Sequence, residues 1–116
     1  MGVEIRDERA AGRLEAYEDG VAAGFVAYFV LAQPTGDPAA LVAVHTVVEP
    51  GREGRGIGGD LVRALYGMAA AEEVAVVPLC PYAAAWARKH PDAAPAAPAA
   101  LVEAAQAQLE ADPSLW

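Results

Sequence analysis

A mixed α/β fold, in which an antiparallel hairpin leads into a strand–helix–strand crossover, is predicted by three stretches of this 116-residue chain. "YEDGV" places Asp19-Gly20 between two runs of strand formers, and a two-residue turn of that kind closes a hairpin because both residues tolerate positive φ. "ALVAVHTVVE" is β-branched and almost wholly apolar, the pattern of a central strand buried on both faces. "EPGREGRGIGGD", residues 49–60, packs five glycines into twelve positions and runs straight into helix-spaced apolar residues at Ile57, Leu61, Leu65 and Met68. Glycine is costly in conformational entropy, so such a cluster marks backbone that takes unusual dihedrals or lets a ligand come very close.

The remaining elements follow in order. "VEIRDE" and "GRLEAYEDG" read as short strands and "VAAGFVAYFVLA" as a longer one, with "QPTGDPA" a loop by its Pro, Gly and Asp content. Pro50 ends the central strand, and the helix is expected from Ile57 to about Glu73. "VAVVPL" is a buried strand, and "YAAAWARKH" a short helix closed by Pro91. A parallel strand–helix–strand connection is right-handed. Trp86, Phe25, Tyr28 and Phe29 are expected in the core. Residues 1–92 make one domain; residues 93–116 are a Pro/Ala linker followed by a helix with Leu101, Val102, Ala105 and Leu109 on one side. That helix is able to dock on the domain or on a second subunit, which makes a homodimer an open option, and a frayed tail is the alternative.

Composition narrows the function classes. The apolar fraction of 55% excludes wholesale disorder, no apolar run reaches membrane-spanning length, and "MGVEIRDERAAGR" has no signal-peptide core, so a soluble, cytoplasmic protein is expected. A single cysteine, Cys80, excludes an internal disulfide and a thiolate zinc cluster, and His45 and His90 have no carboxylate spacing that makes a metal site. The net charge of −8 speaks against nucleic acid, whose phosphates need a basic face. A cationic or amine substrate fits that charge slightly better than an anionic one.

Three ligand chemistries compete for the glycines. A Walker loop fails because no Gly-Lys-Ser/Thr follows. Gly54, Gly56 and Gly59 satisfy a dinucleotide fingerprint, but no acidic residue ends the next strand and only one crossover unit exists. An anion nest remains: successive backbone N–H groups turn inward, the following helix adds the positive end of its dipole, and a pyrophosphate is held without side-chain charge. The rest of such a ligand would lie along "AVHTVVE".

"HTVVEPGREGRGIGGDLVRAL" followed by "VVPLCPYAAAWARKHPD" resembles the GNAT superfamily of acyl-CoA-dependent N-acetyltransferases, closest to its small single-domain branch, over roughly residues 3–92. The superfamily motif, Gln or Arg, then x-x-Gly-x-Gly or Ala, maps onto Glu53, Gly56 and Gly58, with Glu53 departing at the first position. The resemblance implies the compact GNAT acyl-CoA N-acyltransferase fold with a splayed central strand, acetyl-CoA as cosubstrate, and transfer of the acetyl group to an amine of a small molecule or a protein lysine. It places Glu53, Gly54, Arg55, Gly56, Ile57 and Gly58 around the diphosphate of coenzyme A. Arg55 and Arg88 are alternatives for the adenosine phosphate that spacing does not decide, and the basic "ARKH" also suits the C-terminal end of its helix dipole. An oxyanion donor is implied in the backbone near Val47 or Val48, and Thr46 beside the pantetheine. Cys80, at the carboxyl end of its strand, either lines the thioester channel or accepts the acetyl group itself. Tyr82 stands where larger superfamily members carry the tyrosine that protonates the departing thiolate. His45 is the candidate general base, weighed against a hydrogen-bonded core histidine. Two rival classes fit the same residues: a module that binds acyl-CoA without turnover, and a protein-interaction domain working through the last helix.

Overall fold

The computed structural model describes residues 3–115. Strands β1 (Val3–Glu8), β2 (Arg13–Glu18), β3 (Val21–Ala32) and β4 (Pro38–Val48) run antiparallel each to the next, and β5 (Ala75–Pro78) lies parallel to β4. The strand order in the sheet is the order along the chain. Helix α1 (Ile57–Glu72) makes the crossover from β4 to β5; α2 (Pro81–Lys89) and α3 (Ala99–Ala111) follow. The β2–β3 turn has Asp19 at φ 53° and Gly20 at φ 81°, the doubly left-handed turn that the Asp-Gly pair predicts.

Helix α1 buries Ile57, Leu61, Val62, Leu65, Tyr66 and Ala69 against one face of the sheet, where Leu14, Ala16, Val26, Leu41 and Ala43 meet them. Complete burial of a leucine or isoleucine side chain stabilises by about 1.5–3 kcal/mol. Helix α3 covers part of the opposite face, joining Ala105 to Leu31, Ala40, Val42 and Val77. β4 is thus sandwiched by helices on both sides, which explains its unbroken apolar run.

Two irregularities shape the end of the sheet that matters for function. Ala27 pairs with His45 but Tyr28 pairs with Ala43, so Val44 is an extra residue in β4. The bulge turns Thr46 and Val48 toward the α1 side, where Thr46 meets Cys80 and Val48 packs on the α1 core. His45 turns to the other face beside Phe25, at 6.3 Å between ring centroids. Phe25 and Phe29, expected in the core, instead lie half-buried on this second face, because α3 shields only the far part of it; Tyr28 and Trp86 are buried as expected.

A polar network ties the β1–β2 connection to the end of α1. Tyr28 donates its hydroxyl to Asp7 at 2.5 Å and accepts from Arg9 Nε at 3.2 Å, while Arg9 forms a bidentate pair with Glu72 at 3.1 and 2.6 Å. Burial first, and the bond to Asp7 second, push the Tyr28 phenol up to about 12 from its ordinary 10.0. A folded-state pKa above the unfolded one gives stability that is complete below pH 10 and is lost as pH rises through about 12. Thermal melts between those limits should therefore show a steeper fall in Tm for the wild type than for Tyr28→Phe, and parallel curves would contradict the network's role.

Candidate functional site

The glycine loop owes its course to residues in the left-handed region. Gly54 and Gly56 stand at φ 82° and 81°, and Gly56 caps α1 with no side chain. The first bond inside the helix runs from the Asp60 N–H to the Gly56 carbonyl, at 2.9 Å. The N–H groups of Ile57, Gly58 and Gly59 are left without an intrahelical acceptor, at the positive end of a sixteen-residue helix. Glu53 turns its carboxylate back onto the loop, accepting from the Gly51 N–H at 2.9 Å. Arg55 pairs with Glu18 of β2 at 2.9 Å, and Arg52 pairs with the same carboxylate, so the loop is laced to the neighbouring hairpin from two points.

A small cleft of about 240 Å³ opens beside this loop. Glu53, Gly54, Gly56, Ile57 and Gly58 line one side of it; Val48 and Tyr82 line the other. Tyr82 lies so close to Gly58 that a Cβ there would come within 2.7 Å of its hydroxyl oxygen. A side chain at Gly58 would therefore displace the exposed Tyr82 ring from the cleft wall.

Next to the cleft the sheet comes apart. The β4–β5 ladder ends at Ala43 and Pro78, and the N–H groups of Leu79 and Cys80 both close on the Ala43 carbonyl at 3.0 Å. Past that point the chain turns into α2, and Val44 to Val48 have no β5 partner. On the β3 side, Glu49 N–H donates to the Ala23 carbonyl at 2.8 Å. Antiparallel ladders alternate, so counting back in twos assigns the Val47 and His45 N–H groups to β3 and leaves those of Thr46 and Val48 pointing into the gap. Of the two positions offered for the oxyanion donor that the resemblance implies, Val48 faces the gap and Val47 does not; Thr46, expected beside the pantetheine, turns a further N–H toward the gap. Cys80 is 2% exposed, with its sulfur 3.5 Å from Thr46 Oγ1 across the gap.

The structure thus gathers Thr46, Val48, Cys80, Tyr82 and the glycine loop along one seam. It separates three other residues from that seam. Arg55 is engaged with Glu18 outside the cleft, and Arg88 borders a different groove beside Pro91. His45 opens on the second face of the sheet, into a cavity of about 550 Å³ that Phe25, Ala27 and Phe29 also line. Sequence reasoning missed Arg52 and Glu18, which meet across 34 residues of chain. It also missed Arg13, whose guanidinium lies 3.6 Å from the centroid of Phe25. No helix among the described residues is long and apolar enough to cross a membrane.

A ribosomal-protein-alanine N-acetyltransferase from Brucella melitensis biovar Abortus 2308 superposes with a TM-score of 0.55 at 26% identity, over 74% of this chain and 62% of that one. A GNAT family acetyltransferase from Brucella melitensis in complex with acetyl-CoA gives 0.49 at 28% identity, over 58% of this chain and 44% of that one. The chain therefore spans less than two thirds of the length of either. A comparison with curated proteins finds no match. Residues 13–96, from β2 through the segment after α2, match the GCN5-related N-acetyl-transferase family, and the chain belongs to it.

Proposed function

We propose that the protein is an acetyl-CoA-dependent N-acetyltransferase whose seam between β4 and β5 holds the thioester. The observation that carries this reading is the cleft where the helix-start residues Ile57 and Gly58, whose N–H groups have no intrahelical acceptor, meet Val48 beside a gap in the sheet that exposes the N–H groups of Thr46 and Val48. The first set suits the diphosphate of coenzyme A, since backbone donors and the helix dipole bind an anion with no side-chain charge. The second set suits the carbonyl oxygen of the acetyl group as it gains charge, because main-chain donors are already oriented and pay no reorganisation. Glu53 contributes through its backbone and through the brace to Gly51 rather than by a contact to phosphate.

The chemistry that follows is a direct attack. The neutral amine forms its bond to the acetyl carbonyl carbon, the C–S bond breaks, and the thiolate takes a proton from the Tyr82 hydroxyl, which recovers it from solvent. We assign the proton lost by the amine to His45, which adjoins Thr46 in β4 but faces the other side of the sheet, so the amine must reach the gap from that second face. Cys80 lines the seam: buried and in contact with Thr46, it has neither the exposure nor the charged neighbour that activates a nucleophilic thiol.

Calorimetric titration with acetyl-CoA tests the reading, with the dephospho form as control. Saturable binding is expected, and no heat and no thermal shift at millimolar ligand would remove the assignment in favour of an interaction module. Cys80→Ala is expected to keep its transfer rate within about threefold, the change of a lining residue rather than a nucleophile. Loss to background, with an acetyl adduct trapped on Cys80 in the wild type, would replace direct attack by an acyl-enzyme.

A further inference from the structure

The second face of the sheet carries a row of three residues that the seam does not use. The register sets Arg13 of β2 opposite Ala27 of β3, and Ala27 opposite His45 of β4. Strands stand about 4.8 Å apart, so the alanine leaves a notch between a guanidinium and an imidazole, walled by Phe25 and Phe29 two residues away on either side. Leu115, in the turn after α3, lines the same cavity of about 550 Å³. Two of the eight basic residues of a chain with net charge −8 line it, Arg9 and Arg13. Arg9 is committed to its bidentate pair with Glu72. Arg13 stacks on Phe25 with one nitrogen 3.6 Å from the Glu15 carboxylate, and its side chain stays 40% exposed. Most of its donors are therefore available to a ligand.

We propose that this cavity binds the acetyl acceptor and that the acceptor is a small amino acid with an apolar side chain, held by its carboxylate on Arg13 with its amine toward His45. The inference rests on the acetyl-transfer reading for the chemistry, though not for the binding. A guanidinium fork matches a carboxylate in two parallel hydrogen bonds, and the Glu15 carboxylate 3.6 Å away repels a doubly charged phosphate more than a monoanion. The 3.6 Å from the guanidinium to the Phe25 centroid and the 6.3 Å from there to the imidazole bound the gap to be bridged. Measured from the guanidinium carbon and the imidazole centre, a hydrogen bond at each end reaches roughly 4 Å, so only about 2 Å remains in a straight line between carboxylate and amine. An α-amino acid comes nearest to that spacing; the ε-amine of a lysine lies too far from its own carboxylate. In the transfer the amine nitrogen bonds to the acetyl carbon, its proton passes to His45, and coenzyme A leaves as the thiol. Phe29 and Leu115 are placed to receive the apolar side chain.

The test compares phenylalanine with phenethylamine, the same amine lacking the carboxylate, by calorimetric titration of the full chain without acetyl-CoA. The wild type should bind phenylalanine at least about tenfold more tightly, as expected for a charge-assisted bidentate contact. Arg13→Gln should reduce that preference to less than about twofold, with Arg13→Lys between the two. Equal binding of both amines, binding of neither, or a preference that survives Arg13→Gln would overturn the proposal. Thiol release with acetyl-CoA separates the two readings. Phenylalanine bound through Arg13 without thiol release would sink acetyl transfer and leave the amino-acid site standing. Turnover of phenethylamine as fast as phenylalanine would do the reverse.

Discussion

Gly24→Ala is expected to lower Tm by roughly 10 °C, from a loss of about 2–3 kcal/mol, and to weaken acetyl-CoA binding at the same time. A Cβ on Gly24 would stand 2.6 Å from the Val47 carbonyl oxygen and 3.2 Å from the Val48 Cα, both of them backbone atoms. A flexible side chain could swing away from such a contact; a paired strand cannot. The end of β4 would have to move away from β3, carrying with it the Thr46 and Val48 donors that face the gap. Stability and ligand affinity should therefore fall together in one variant. A melt within about 3 °C of the wild type, a change worth under about 1 kcal/mol, would show that the strand end yields cheaply and that the close approach is not a constraint.

The second large effect is expected at the cap of α1. Gly56→Val puts a β-branched residue at φ 81°, where every L side chain is strained and branched ones most of all. Space is not the obstacle, since nothing lies within 4 Å of the added Cβ. The strain is relieved only by changing the dihedrals that aim the Ile57, Gly58 and Gly59 N–H groups, so acetyl-CoA affinity should drop at least about tenfold with a Tm loss of only a few degrees. Gly67→Ala is the matching control in the same helix. It too meets nothing within 4 Å, its φ is ordinary, and the substitution should stabilise by about 1 kcal/mol without touching affinity. An affinity for acetyl-CoA that survives Gly56→Val would place the diphosphate elsewhere.

The hairpin, the crossover helix and the double-sided burial of β4 are all legible before any coordinates, and for local reasons. Asp19-Gly20 declares its turn through dihedral preference, and Ile57, Leu61 and Leu65 declare a face through spacing. The glycine loop and the seam residues Thr46, Cys80 and Tyr82 were also within reach, because their neighbours in sequence carry a family pattern. The face taken by His45 was not. Strict alternation from Leu41 and Ala43 would put His45 with them under α1; the bulge at Val44 breaks that count, and a valine among valines gives no sign of it. Gly24 is equally silent, being one small residue in a strand whose crowding comes from a partner 23 residues away. The same holds for Glu18 with Arg52 and Arg55, and for Arg13, Ala27 and His45, which become a row only once three strands are in register.

The identity of strand order and chain order has a bearing on how the molecule comes to be folded. Each strand from β1 to β4 pairs with the one made just before it, so every new ladder closes a short loop and little chain entropy is spent ahead of the contacts that repay it. Only β5 must wait for a full helix to be laid down, and its ladder is just four residue pairs long. The meander is thus the part able to assemble early and independently, while the gap that holds the candidate chemistry is bordered by the pairing made last and held by the fewest bonds. A nascent chain would have its sheet before it has its seam.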